Sequence, residues 1–191
     1  MEYDAEKREI YLNRELSNLD LLVLNFLRVL EKHADYVLIS GYISILLGRS
    51  RSTEDIDLFL EEISFERFFS LYEDLKKAGF WCLNSGNVEE LYSYLKDGLA
   101  IRFAIENTSI PNFEVKFPKR EIDRGTFEDF IRVIMPGGKV KISSLERQIA
   151  FKRYYLKSQK DIEDAVHVEK IFGDKINREK INKFKIILEG L

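Results

Sequence analysis

The segment from Leu38 to Leu60 constrains this chain more than any other, and it reads LISGYISILLGRSRSTEDIDLFL. An apolar run ends at Ser40-Gly41, and an apolar segment of helical character follows from Tyr42 to Leu47. A turn then leads into Asp55-Ile56-Asp57-Leu58, where carboxylates alternate with apolar residues. Such alternation is typical of a strand with one buried face. The segment therefore predicts a strand, a glycine turn, a short helix and a second strand.

The two aspartates of this segment point to metal chemistry. Side chains at positions i and i+2 of a strand share a face, so Asp55 and Asp57 lie on the same side of the sheet. Two adjacent carboxylates repel each other, and their burial is costly unless a cation lies between them. Mg²⁺, with Mn²⁺ as the alternative, takes hard oxygen ligands and commonly binds one or two carboxylates together with substrate phosphates. The Ser40-Gly41 turn exposes backbone N–H groups that suit a phosphate.

The same residues resemble the nucleotidyltransferase superfamily related to DNA polymerase β. Its signature is an apolar residue, Gly, then Gly or Ser, a spacer, and Asp-x-Asp on a strand. This chain has Ile39-Ser40-Gly41-Tyr42 and later Arg51-Ser52-Thr53-Glu54-Asp55-Ile56-Asp57, with Ser40 where the first glycine is usual. The pattern is that of the small, minimal members, some of which act in toxin–antitoxin or abortive-infection pairs.

The resemblance implies a fold and a set of site residues. The fold is α/β (α+β), with a mixed nucleotidyltransferase sheet flanked by helices and a C-terminal helical bundle. The resemblance implies that Asp55 and Asp57 are both metal ligands and catalytic residues. The nucleotide-binding residues are Ser40, Gly41, Arg51, Thr53 and Lys152.

The third carboxylate of such a site is usually found on a later strand. The segment 112–117 alternates apolar residues with Glu114 and Lys116, which share the opposite face. Glu114 is the candidate third metal ligand and catalytic acid, and Glu106 is the second choice. Lys116 either replaces part of the metal's charge or pairs with Glu114, and Arg102 on the preceding strand is a further partner for either acid.

The C-terminal part extends the resemblance. The minimal members have a Ser-Pro-Glu helix start, then a lysine, then a Lys-Asp-x-x-Asp-Ala run; this chain has Ser144-Leu145-Glu146, then Lys152, then Lys160-Asp161-Ile162-Glu163-Asp164-Ala165. Lys152 is expected to reach the triphosphate. The alternative is that this cluster fixes the helical unit against the catalytic unit.

The arginines of the turn also allow two interpretations. Arg49 and Arg51 lie close to the proposed metal site in sequence, and a guanidinium binds phosphate through two parallel hydrogen bonds. The alternative, expected for at least one of them, is a surface ion pair with Glu54 or Glu61.

Length and composition limit the class of protein. The 191 residues suit a core domain over 1–142 and a helical region over 143–191, and residues 1–13 are expected to be frayed. Because Cys82 is the only cysteine, an internal disulfide is excluded, and this fits a reducing cytoplasm. No stretch is long enough to span a membrane, and the charged fraction of 33% favours a thermophile.

The distribution of charge is uneven, although the net charge is only −3. From residue 139 onward the chain has 13 Lys or Arg and 8 Asp or Glu. This excess is either a solvated helical face or a positive rim for a polyphosphate or RNA.

The residues and the resemblance together predict a Mg²⁺-dependent nucleotidyltransferase. It would move a nucleoside monophosphate from a nucleoside triphosphate to a hydroxyl group of RNA, a small molecule or a protein. The alternative is a catalytically weak module that binds a nucleotide or a partner, as one half of a toxin–antitoxin-like pair. A homo-oligomer is also compatible with the sequence.

Overall fold

The computed structural model describes every residue from Met1 to Leu191, as one mixed sheet flanked by eight α-helices. The nine strands are β1 (Glu2–Asp4), β2 (Glu9–Tyr11), β3 (Tyr36–Leu38), β4 (Asp55–Leu60), β5 (Phe80–Cys82), β6 (Ile101–Ile105), β7 (Asn112–Lys116), β8 (Phe130–Met135) and β9 (Gly138–Ser143). The helices are α1 (Asn18–Leu30), α2 (Gly41–Leu46), α3 (Phe65–Lys77), α4 (Val88–Lys96), α5 (Glu121–Arg124), α6 (Leu145–Ala150), α7 (Gln159–Phe172) and α8 (Arg178–Glu189). The predicted fold class is confirmed.

The strands run in the order β1-β2-β8-β9-β3-β4-β7-β6-β5. Three neighbouring pairs are parallel, namely β2 with β8, β3 with β9 and β4 with β7, and the others are antiparallel. The predicted strand, turn, helix and strand are present as β3, α2 and β4. This order places β4 in the interior of the sheet with a neighbour on each side.

One face of the central strands is covered by α1. Phe26 of α1 is fully buried and stacks on Phe113 of β7 at a centroid distance of 3.8 Å. Ile56 and Leu58 of β4 are likewise fully buried. Because side chains alternate along a strand, the carboxylates of β4 and β7 are left on the opposite face of the sheet.

The N-terminal segment is ordered, and the expectation of a frayed end is wrong. β1 and β2 pair antiparallel, and β2 lies parallel to β8 with Ile10 opposite Val133. Ile10 is fully buried and Leu12 is nearly so. The few apolar residues of this polar segment therefore enter the core, and this burial stabilises the added strands.

The C-terminal region forms helices at the predicted positions. Between α6 and α7 the chain continues as a π-helical segment, Phe151–Leu156, and a 3₁₀ turn over Gly173–Lys175 precedes α8. A single hydrophobic core extends from Ile10 to Leu188 and includes residues of these helices. The division into 1–142 and 143–191 stays a prediction. No helix is both long and apolar enough to cross a bilayer.

Candidate functional site

The predicted acids lie on one face of two parallel strands. In the pairing of β4 with β7, Asp57 is opposite Glu114 and Asp55 is opposite Asn112. Directly opposed residues on one face are neighbours in a sheet. The predicted sharing of a face by Asp55 and Asp57 agrees with the register, which places Glu114 on the same face. The roles of the three carboxylates remain predictions.

Asp55 has a partner that the sequence analysis missed. The side-chain amide of Asn112 donates a hydrogen bond to Asp55 Oδ1 over 2.8 Å, and Asn112 is 5% exposed. The signal was available, because Asn112 precedes Glu114 by two residues and so shares its face. This contact fixes one oxygen of Asp55 and leaves the carboxylate without an ion pair.

Asp57 is half-buried and has no ion pair either. Burial raises the pKa of its carboxyl group above the usual value, and the charges of Glu114 and Asp55 raise it further. Lys116 and the hydroxyl of Ser40 act in the opposite direction, but the net shift is upward. An ionised Asp57 is therefore unfavourable here unless a cation joins it.

Glu114 differs from the two aspartates because it is paired. Arg102 Nη2 donates to Glu114 Oε2 over 2.6 Å, and Lys116 Nζ lies 3.4 Å from Oε1. No three His, Cys, Asp or Glu side chains are grouped closely enough to hold a metal ion. The second choice, Glu106, is exposed in the turn after β6.

The Ser40-Gly41 turn connects β3 to α2 beside these acids. Ser40 has a positive φ of 65°, which non-glycine residues seldom adopt. A Cβ atom on Gly41 would lie 3.1 Å from Arg51 Nη2 and 3.3 Å from Thr53 Oγ1. A side chain at position 41 would therefore require Arg51 and Thr53 to shift by a few tenths of an ångström. Thr53 braces that turn by donating its hydroxyl to the carbonyl of Asp55 over 2.9 Å.

Two cavities share Ser40 and Asp57 in their lining, whereas Asp55 lines only the smaller one and Glu114 lines neither. The smaller cavity, of about 300 Å³, has no apolar lining residue and includes Gly41, Arg51 and Lys160. The larger one, of about 430 Å³, lies between the sheet and the C-terminal helices and has mixed walls. We call them the polar cavity and the mixed cavity.

Comparison with solved structures identifies the fold. The crystal structure of ANT(2″)-Ia in complex with adenylyl-2″-tobramycin matches at a TM-score of 0.59, with 18% identity over 91% of this chain and 98% of that chain. The solution structure of the antibiotic-resistance factor ANT(2″)-Ia matches at 0.58, with 16% identity over 89% and 90%. The chain has the nucleotidyltransferase fold. A nucleotidyltransferase-like protein from Paracoccidioides brasiliensis matches at 0.55, with 17% identity over 91% and 88%.

The sequence comparisons do not extend this fold assignment. No protein-family model matches the chain, and no curated protein matches it. At under a fifth sequence identity, the structural neighbours support the nucleotidyltransferase fold and leave the chemistry to be argued from the residues.

In this nucleotidyltransferase fold, a buried carboxylate joins the turn to the C-terminal helices. Asp164 of α7 is fully buried and accepts hydrogen bonds from Arg49, from Arg51 Nη1 over 2.5 Å and from Lys152 Nζ over 2.7 Å. Arg49 also pairs with Glu163 at 2.5 Å. The expected pairing of an arginine with Glu54 or Glu61 is therefore wrong.

Lys152 and Arg51 keep contact with the cavities while they bind Asp164. Lys152 is 1% exposed and lines the mixed cavity, whereas Arg51 lines the polar cavity. The interpretation that this cluster joins the helical unit to the sheet describes the observed contacts. Nucleotide binding by either side chain stays a prediction.

Proposed function

We propose that the chain is a Mg²⁺-dependent nucleotidyltransferase that moves a nucleoside monophosphate from a nucleoside triphosphate to a hydroxyl group. The observation that carries this proposal is the pair Asp55 and Asp57, which share one face without an ion pair beside the Ser40-Gly41 turn. The acceptor hydroxyl belongs to RNA, a small molecule or a protein. The adenylyl group joined to tobramycin in the ANT(2″)-Ia complex supports a nucleoside monophosphate as the transferred group.

The polar cavity suits the polyphosphate of the donor. It has no apolar lining residue, and its charged lining residues are the cations Arg51 and Lys160 and the acids Glu54, Asp55 and Asp57. A polyphosphate would therefore bind there together with a metal ion. Ser40 and Gly41, at the start of α2, line the same space, and free backbone N–H groups at such a turn bind phosphate oxygens well. Ser40, Gly41, Arg51 and Thr53 would therefore cradle the β- and γ-phosphates.

The two aspartates fit a divalent metal ion. Asp55 and Asp57 offer hard oxygen donors, lack an ion pair, and lie next to the space proposed for the phosphates. Mg²⁺ commonly takes only one or two carboxylates and completes its shell with phosphates and water, and Mn²⁺ has similar preferences. The ion would neutralise charge on the phosphates and activate the hydroxyl. Glu114, directly opposite Asp57, is the proposed third ligand, and its carboxylate would have to leave Arg102 and move towards the two aspartates to bind the same ion.

The transfer step is an ordinary phosphoryl substitution. The acceptor oxygen attacks the α-phosphorus, a new O–P bond forms, and the bond between the α-phosphorus and the bridging oxygen breaks. Pyrophosphate leaves with that electron pair, and the hydroxyl proton passes to solvent. The chain's own contribution is position and charge, which is how such reactions are chiefly accelerated.

The second candidate is a module that binds a nucleotide or a partner with weak catalysis, as in a toxin–antitoxin-like pair. The specific observation in its favour is Glu114, whose carboxylate is held by both Arg102 and Lys116. A third ligand in that state is less available to a metal ion.

A labelled-transfer assay separates the two candidates. Wild type and Asp55→Ala/Asp57→Ala are incubated with each α-labelled nucleoside triphosphate, Mg²⁺ or Mn²⁺, total RNA, tobramycin and cell lysate. Label on an acceptor with the wild type alone is the expected result. Metal-dependent nucleotide binding without transfer would support the second candidate. The absence of both binding and transfer would contradict both candidates.

A further inference from the structure

The mixed cavity carries an excess of positive side chains. Two acids, Asp57 and Asp123, are among its lining residues. The cations that line it are Lys116, Lys119, Arg120, Arg147 and Lys152. A pocket with such a lining attracts an anionic ligand and repels a polycation.

Lys119 is the most available of these cations. Its Nζ donates to the backbone carbonyl of Asp97 over 3.1 Å, and it has no carboxylate partner. The stem passes over Gly98, where an added Cβ would lie 2.7 Å from Lys119 Cδ. Lys119 is therefore held at the cavity with its charge uncompensated. The other lining cations each lie beside an acid.

Four aromatic side chains form another part of the wall. Phe59 and Phe117 come from the sheet side, and Phe151 and Tyr155 come from the π-helical segment. Tyr155 is 46% exposed, and the Arg120 guanidinium lies 4.9 Å from its ring centroid. Short π-helical segments are frequent at functional sites, and this one brings four of its six residues, namely Phe151, Lys152, Tyr155 and Leu156, to the cavity.

We propose that the mixed cavity is the acceptor site and that the acceptor is a ribonucleotide with a free ribose hydroxyl, either at an RNA 3′ end or as a free mononucleotide. Aromatic faces beside cations are the combination that binds single-stranded nucleotides, through base stacking and phosphate contacts. The volume of about 430 Å³ is adequate for one nucleotide-sized ligand. This inference rests on the proposed function, because it assumes a donor in the polar cavity.

The position of Asp57 supports this division of the two cavities. Asp57 and Ser40 line both, so ligands in the two cavities would meet at Asp57. A ribose hydroxyl in the mixed cavity would face the α-phosphorus at that boundary. The polar cavity, in contrast, has no aromatic lining residue on which an acceptor base would stack.

The test compares variants of the two cavities with an exposed control. Lys119→Gln and Tyr155→Ala remove features of the mixed cavity, Lys160→Gln removes a cation of the polar cavity, and Lys183→Gln is an exposed control on α8. The donor dissociation constant is measured by equilibrium binding of nucleoside triphosphate without an acceptor. The acceptor KM is measured in label transfer to an oligoribonucleotide and, separately, to a nucleoside monophosphate.

We expect Lys119→Gln and Tyr155→Ala each to raise the acceptor KM by about tenfold while donor binding stays unchanged. Lys160→Gln should weaken donor binding and leave the acceptor KM as it is, and Lys183→Gln should change neither. A preference for the oligoribonucleotide over the mononucleotide identifies an RNA end, and the reverse identifies a free nucleotide.

The outcomes also separate this inference from the proposed function. Weaker donor binding in Lys119→Gln or Tyr155→Ala would make the mixed cavity the donor's own base site and overturn the inference. Transfer to tobramycin or a protein, but to no ribonucleotide, would overturn it while the proposed function stands. Absence of metal-dependent donor binding in the wild type would instead contradict the proposed function itself.

Discussion

Asp164 is fully buried and Asp57 is half-buried, and the surroundings of these two acids are opposite. Asp164 accepts hydrogen bonds from Arg49, Arg51 and Lys152. Asp57 has no ion pair and has Glu114 opposite it in the next strand. Asp164 has three cations within hydrogen-bond distance, whereas Asp57 has only the more distant charge of Lys116. A buried charge without a partner costs free energy, so such a residue indicates a cation that the chain does not provide.

The pKa shifts of the two carboxyl groups differ in sign. Burial acts to raise the pKa of Asp164, but Lys152, Arg51 and Arg49 outweigh it and hold the pKa below its ordinary value. Burial raises the pKa of Asp57, and the net shift there is upward. Asp164 therefore stabilises the fold when ionised, whereas Asp57 opposes it.

The largest effect is expected from Asp164→Ala. The change leaves Lys152 buried without its main partner and brings three cations together. Loss of one member of a buried ion pair costs about 3–5 kcal/mol of unfolding free energy. Urea denaturation followed by circular dichroism measures this loss.

Glu163→Gln is the matched control, because Glu163 pairs with Arg49 alone and its side chain is 52% exposed. It should cost less than about 1 kcal/mol. Equal losses in the two variants would mean that Asp164 is not the residue that joins the turn to α7, and the comparison with Asp57 would lose its basis.

The Tyr42→Phe variant tests whether the hydrogen bonds of another buried acid, Asp20, stabilise the fold as those of Asp164 do. Asp20 is fully buried and accepts hydrogen bonds from Arg14, Ser17 and the Tyr42 hydroxyl, the last over 2.8 Å. Loss of one hydrogen bond to a charged group should cost about 1.5–3 kcal/mol. Thermal unfolding of both proteins provides the measurement, and an unchanged midpoint would argue that Arg14 and Ser17 suffice.

Asp57→Asn should have the opposite sign in metal-free buffer. The raised pKa of Asp57 means that its favourable contribution to folding is fully present below the ordinary value of 3.8 and is lost as pH rises through the folded-state value. At pH 7 the free energy of unfolding of the variant should therefore be higher by roughly 0.5–2 kcal/mol, measured by denaturant titration. The variant should bind no metal–nucleotide complex.

The pH dependence distinguishes the two acids further. The gain from Asp57→Asn should shrink towards acidic pH, where the wild-type carboxyl group is protonated. The stability due to Asp164 should instead be lost as pH falls through its lowered pKa. Destabilisation by Asp57→Asn at pH 7 would make Asp57 a structural acid and remove it from the proposed metal site.

The smallest effect is expected from Lys116→Gln. Lys116 lowers the pKa of Asp57 and pairs with Glu114 at 3.4 Å. Its removal should change stability by less than about 1 kcal/mol and raise the Mg²⁺ concentration needed for half-maximal nucleotide binding. A metal titration that matches the wild type would show that Lys116 does not substitute for metal charge.

Much of the fold follows from local sequence patterns. The alternation in Asp55–Leu60 predicts β4, the periodicity of residues 63–78 predicts α3, and Pro136-Gly137-Gly138 predicts the hairpin of β8 and β9. The N-terminal strands escaped prediction because β2 pairs with β8, more than 120 residues later. A short polar segment carries little evidence of such a distant partner.

The sequence by itself determined that Asp55 and Asp57 share a face, because side chains alternate along any strand. It also located the glycine turn and the C-terminal helices. The tertiary structure decided which charges are compensated, since Arg49 and Asp164 are 115 positions apart and meet only when α7 packs beside the turn. The mixed cavity also depends on the tertiary structure, because its walls come from strands, loops and a π-helical segment that are distant in sequence. Local periodicity specifies faces, whereas the neutralisation of a charge depends on contacts that only the complete fold creates.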